Sequence, residues 1–195
     1  AVSFVITGIP QLGSVRVKAV STTKESYPGF IKADGKQLRN DNGDIVHLRG
    51  VNAGGYMLQE IWLCATYGGT DDNSSGNIRC QKNILDTLNS RFGSEKAKNL
   101  ISAYEDNYWT TGDFENCAKL GINCIRLPIW YRNLVDENGN WYDNAFDKID
   151  WFVETAGRYG IYVIIDMHGA YGSQNGSHNS GIYGGSTNQQ KKDNS

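Results

Sequence analysis

The chain has 195 residues, with 19 Lys and Arg against 21 Asp and Glu, for a formal net charge of −2. That near-balance leaves no electrostatic footprint for nucleic acid or an anionic membrane, and no apolar run reaches the ~18 residues of a membrane span. Five Trp, eleven Tyr and six Phe are many flat rings for this length. Several fall in polar segments (Tyr56, Trp62, Tyr67, Trp130, Tyr131, Tyr171, Tyr183), where they could stack on sugar faces or serve as ordinary packing.

Residues 1–27 differ from the rest. VSFVITG and VRVKAV read as two strands with Pro10 and Gly13 between them, followed by a linker-like run ending at Pro28-Gly29. Two strands cannot hold a core alone, so this segment reads as the tail of a preceding β domain, and 28–195 as the main unit. Residues 30–47 form a second hairpin pattern, with turn signals at Asp34-Gly35 and Asn42-Gly43. LRGVN, 48–52, reads as a buried strand, and 56–63 as the start of a short helix or loop.

Cys64 and Cys80 bracket a Gly/Asp/Asn/Ser loop. A disulfide there would close a ~15-residue loop and contribute on the order of 3 kcal/mol. Cys117 and Cys124 are expected as buried thiols. With no CxxC and no clustered His, neither a metal nor another cofactor is expected. Asn73-Ser74-Ser75 and Asn175-Gly176-Ser177 are glycosylation sequons, which favour a secreted, extracellular protein.

Helical text runs from Asn83 to Arg91 and from Ser94 to Asn107. Thr111 is placed to cap a helix over Gly112–Leu120, which Gly121 stops. In INCIRLPIW, Ile122, Cys124 and Arg126 share one face, Ile125 and Leu127 the other, and Pro128 is expected to end the strand. An amphipathic helix follows, with Phe146, Ile149, Phe152, Val153 and Ala156 at helical spacing. Then comes IYVIIDMH, a buried-strand run. Strand, helix, strand, helix, strand, with strands apolar on both faces, means an α/β protein with a parallel sheet covered by helices.

Asp166 and His168 end the last strand, two apart and so on one face. The loop beyond it, to Gly181, is rich in Gly, Asn, Gln and Ser. Sites in such folds lie beyond the carboxyl ends of parallel strands, and Arg126 falls at the same end of the neighbouring strand. Arg126 needs a carboxylate partner, either Asp166 or one from later in the fold. The cluster reads either as an ion pair bracing two strands or as the polar floor of a ligand pocket. The glycines of 169–185 fit neither GxGxxG before a helix nor GxxxxGK, so no nucleotide site is supported.

LRGVNAGGYMLQEIW, AKLGINCIRLPIW and GIYVIIDMHGAYGSQNGSHNSG resemble, in order and spacing, glycoside hydrolase family 5, nearest its exo-β-1,3-glucanase-like members. The resemblance implies the first part of a (β/α)8 TIM barrel, about three βα units, preceded by a short β segment. It implies retaining hydrolysis of β-glucosidic bonds in β-glucans. It also implies that Arg126 braces the nucleophile and that His168 and Glu60 contact the −1 sugar. Asn175 and His178 join these as substrate-binding candidates. The family's loop usually reads HGAPGSQNGFDNSG; here Tyr171, Ser177 and His178 stand for its Pro, Phe and Asp, which points to the broader β-glucanase class.

Retaining hydrolysis takes two carboxyls ~5–5.5 Å apart. The family carries one in an Asn-Glu-Pro motif that this sequence lacks. Both catalytic glutamates are therefore expected downstream, no catalytic residue is expected in this chain, and alone it is expected to be inactive. The remainder of the barrel, in cis or as a second chain, is the expected partner beside the polysaccharide. Two competing readings remain: a non-catalytic carbohydrate-binding barrel remnant, and a small doubly wound α/β ligand-binding protein.

Overall fold

A computed structural model describes residues 28–60, 80–136 and 138–170. The expectations for residues 1–27, Trp62, Cys64, Tyr67, both sequons and the loop carrying Tyr171, Asn175, His178 and Tyr183 lie outside the described residues.

The described part opens with a small antiparallel hairpin, β1 (Lys32–Asp34) and β2 (Gln37–Arg39), turning at Asp34-Gly35 as the sequence indicated. β3 (Gly50–Asn52) follows and opens a three-stranded parallel sheet of order β3-β4-β5, with β4 at Cys124–Trp130 and β5 at Tyr162–Gly169. Between β3 and β4 lie α1 (Gln81–Phe92), α2 (Ser94–Tyr108) and α3 (Thr111–Lys119); α4 (Asp147–Arg158) joins β4 to β5.

One face of β4 makes the core. Ile125, Leu127 and Ile129 bury against Phe114 and Cys117 of α3, Ile149, Phe152 and Ala156 of α4, and Ile161. The Phe152 ring sits 4.8 Å from that of Phe114 in an edge-on arrangement and 5.8 Å from that of Tyr56. Removing such a ring costs about 3–5 kcal/mol. Tyr56 and Trp130, which the sequence left open as sugar-stacking rings, are core residues at 2% and 3% exposure. The apolar character of their own segments, not the neighbouring polar text, decides their place.

Several local expectations shift. α3 is capped by Thr110, not Thr111: the Asp113 carboxylate accepts from the Thr110 backbone N–H at 2.7 Å and from its hydroxyl at 2.9 Å. Gly121, at φ 74°, ends that helix. On α4 the buried stripe is Ile149, Phe152, Thr155 and Ala156. Phe146 and Val153 are exposed, and Phe146 stacks on Trp141 instead. Pro128 does not end its strand. β4 runs on to Trp130 through a register irregularity between Pro128 and Trp130.

Neither outer strand is buried as its sequence suggested. Residues 50–52 are exposed, and on β5 so are Ile164, Ile165 and Met167. Each strand has a single parallel neighbour, β4, among the described residues. Cys117 and Cys124 are buried thiols, held above their usual titration range by burial. Cys80 is also buried, with Sγ 3.4 Å from Asn83 Oδ1; the Cys64 end of the bridge considered for it lies outside the described residues.

The amino ends of the sheet meet at Asn123. Its Oδ1 accepts the Arg49 N–H at 2.7 Å and its Nδ2 donates to the His47 carbonyl at 2.9 Å. Its backbone N–H donates to the Arg49 carbonyl and its carbonyl accepts the Tyr162 N–H. Gly50 lies so close to β4 that a Cβ there would meet the Cys124 carbonyl oxygen at 2.8 Å. The β1–β2 end of the chain lies beneath: the Tyr162 hydroxyl donates to the Pro28 carbonyl at 3.1 Å.

Candidate active-site floor

At the opposite, carboxyl end of the sheet, alternation delivers polar side chains to the face turned away from the helices. Register aligns Asn52 with Arg126, and Pro128 with Asp166. Arg126 Nη2 donates to Asp166 Oδ2 at 2.5 Å and lies 2.9 Å from His168 Nδ1; Nη1 donates to Asn52 Oδ1 at 3.4 Å. His168 Nδ1 is also 3.2 Å from Asp166 Oδ2. The Arg126 and Asp166 side chains are about one-third exposed, at 35% and 31%. Their attraction is thus partly screened by water, and geometry rather than ion-pair energy is what they supply.

Glu60 comes from no strand. The segment Ala53–Gln59 leaves β3 almost wholly buried and carries Glu60 to the cluster, with Oε1 3.8 Å from His168 Nε2 and the side chain 15% exposed. A buried segment without regular structure needs partners for its backbone groups. The Tyr104 hydroxyl donates to the Gly55 carbonyl at 2.7 Å and the Tyr108 hydroxyl to the Gly54 carbonyl at 3.1 Å. Gln81 accepts the Gln59 N–H at 3.1 Å and donates to the Met57 carbonyl at 3.3 Å.

Of the residues singled out in the sequence, the structure brings Glu60, Arg126, Asp166 and His168 together; Asn175 and His178 lie outside the described residues. Asn52 was missed, though its place one alternation beyond Gly50 and in register with Arg126 could have pointed to it. A separate cavity of about 550 Å³ lies between α1, α2 and the connection after β4, lined in part by Glu105, Arg132, Tyr142 and Lys148. Neither Arg126 nor His168 lines it, so it is not the site formed at the strand ends. Among the described residues, no group of three or more His, Cys, Asp or Glu is placed to hold a metal ion. No helix among them is long and apolar enough to cross a membrane.

A parallel sheet backed by helices, with a guanidinium, carboxylates and an imidazole at its carboxyl ends, defines an α/β protein whose site sits where barrel enzymes place theirs. Residues 84–193 match the family described as Cellulase (glycosyl hydrolase family 5), and the chain belongs to that family. It is 28% identical over 179 residues to "Probable glucan 1,3-beta-glucosidase A" of Aspergillus clavatus, covering 92% of this chain and 41% of that protein. It is 34% identical over 163 residues to the protein of the same description from Neosartorya fischeri, covering 82% and 36%. The chain thus spans about two-fifths of the length of these relatives. Among solved structures it is similar to the rutinosidase from Aspergillus niger, with a TM-score of 0.51 and 22% identity over 68% of this chain and 36% of that one. Family and fold together imply part of a (β/α)8 architecture.

Proposed function

We propose that this chain is the amino-terminal part of a secreted retaining glycoside hydrolase that cleaves β-glucosidic bonds in β-glucans. Residues 28–195 supply about the first three βα units of the barrel, and 1–27 belong to a preceding β segment. The nucleophile and acid/base glutamates come from downstream of this chain, so alone it hydrolyses nothing. Glu60, Arg126 and His168 form the floor on which the sugar at the cleavage point sits, Asn175 and His178 also bind the substrate, and no cofactor takes part.

The observation that carries this reading is the reach of one guanidinium, Arg126, to both Asp166 and His168 across adjacent strand ends, with Glu60 beside them. A cation held there can orient a neighbouring carboxylate nucleophile, and the imidazole and Glu60 can hydrogen-bond sugar hydroxyls. The likeness to fungal proteins described as probable glucan 1,3-beta-glucosidases supports β-1,3-linked glucan as the substrate.

The test is hydrolysis of a β-1,3-glucan oligosaccharide by the complete protein and by residues 1–195 alone, with product configuration followed by proton NMR. The complete protein should release a β-configured product first and the isolated chain none. An α-configured first product overturns retention. Binding without turnover by the complete protein favours the carbohydrate-binding alternative.

A further inference from the structure

We infer that Gln81, the first residue of α1, is a positioning residue that holds Glu60 at the sugar site. This rests on the role given to Glu60 above. Gln81 is 3% exposed, an unusual place for an amide side chain. Both ends of its amide are used on one short stretch of backbone: Oε1 accepts the Gln59 N–H and Nε2 donates to the Met57 carbonyl. Those two groups lie in the last turn of chain before Glu60.

Met57, Leu58 and Gln59 are each 2% exposed and belong to no helix or strand, so no ladder fixes their dihedral angles. The α1–α2 pair does so instead. Tyr104 and Tyr108 of α2 pin the start of the segment at Gly54 and Gly55, and Gln81 pins its end. A planar amide that donates and accepts two residues apart fixes the direction in which the next side chain leaves. Glu60 lies 3.8 Å from His168 Nε2, so a drift of ~1 Å would change what it can reach at the strand ends. Helices packed on the segment before Glu60 therefore set the geometry of that strand-end carboxylate.

The experiment is a double-mutant cycle in the complete enzyme on a β-1,3-glucan oligosaccharide. Gln81→Met keeps the volume of the side chain and removes both hydrogen bonds. It should lower kcat/KM about tenfold when Glu60 is present, and less than about twofold in a Glu60→Gln background, because a misplaced side chain that is already disabled has nothing left to lose. Should Gln81→Met not fold, Gln81→Glu, which keeps the acceptor for Gln59, takes its place in the same cycle. Equal falls in both backgrounds, or no fall in either, overturn the positioning role while leaving that of Glu60 intact. A Glu60→Gln enzyme with wild-type kcat and KM overturns the reading of Glu60 itself, and the positioning role with it.

Discussion

Arg126 Nη2 and His168 Nδ1 lie 2.9 Å apart, across two neighbouring strands. A guanidinium can only donate, so this contact is a hydrogen bond when Nδ1 presents its lone pair. Asp166 Oδ2, at 3.2 Å, competes for the same nitrogen as an acceptor, and the shorter guanidinium contact favours the unprotonated Nδ1. The ring proton then sits on Nε2, the nitrogen turned towards Glu60 Oε1. Nitrogen-15 NMR of His168 should show the Nε2–H form. In Arg126→Met, Asp166 loses its competitor and the ring should change to Nδ1–H. An Nδ1–H ring in the unaltered protein contradicts this arrangement.

Turnover should separate the two residues. On the proposed role of Arg126 in bracing the nucleophile, Arg126→Ala in the complete protein should lower kcat about 100-fold, as a carboxylate loses its orientation. His168→Ala should raise KM as well as lower kcat, with little change in the thermal midpoint. Its side chain is 30% exposed, so its removal leaves no sealed cavity. Unchanged kinetics in both variants would remove the site from these strands.

Acid and base should act on the fold through Glu105. It is 5% exposed, and burial pushes its carboxyl above the usual carboxylate range, against the opposing pull of Lys148 Nζ 3.1 Å away. A carboxyl that holds its proton more tightly when folded favours folding below its ordinary value of 4.5 and loses that contribution as pH rises. Glu105→Gln should therefore flatten the decline in stability between pH 4 and 7. Lys148→Met should cost on the order of 2 kcal/mol at pH 7, less than a wholly buried pair because Lys148 is 26% exposed. That cost should shrink towards pH 4, where Glu105 is protonated. Urea titrations at the two pH values measure both, and a Lys148→Met penalty independent of pH would exclude Glu105 as its cause.

A single methyl group should disturb the sheet. Gly50→Ala puts a Cβ against the Cys124 carbonyl, which is backbone and cannot swing aside. The strands must separate or slip, at a cost of about 2 kcal/mol. An unchanged urea midpoint for Gly50→Ala would mean that β3 and β4 pack less closely than they do here.

Much of this was legible in the sequence. The period of two in INCIRLPIW and IYVIIDMH put Arg126, Asp166 and His168 on matching faces, and the strand-helix-strand order aligned their ends. Among the described residues, helical periodicity located α1, α2 and α3 within about two residues, while α4 starts at Asp147, five residues later than the pattern from Tyr142 suggested. Glu60 was different: beside Trp62 it read equally as a sugar-binding carboxylate or a solvated helix residue, and only the family resemblance chose between them, because no pattern in GGYMLQE says which way an irregular segment turns. Gln81 carried no local signal, since its partners lie 22 and 24 residues away, and Asn52 was readable only through its alternation from Gly50 and its register with Arg126, 74 residues on. The burial of Tyr56 was hidden for the same reason, as Phe152 supplies the surface it rests on.

Asn123 gives the sheet a division of labour. One side chain and its own peptide groups fasten all three strands at the end remote from the polar cluster, so strand alignment does not depend on what happens at the rim. Residues at the carboxyl ends of the strands can be exchanged without removing the contacts made by Asn123. Asn123→Asp, which gives up the amide donor to His47, would loosen the entry to β3 while the backbone bond from Tyr162 to Asn123 stays in place.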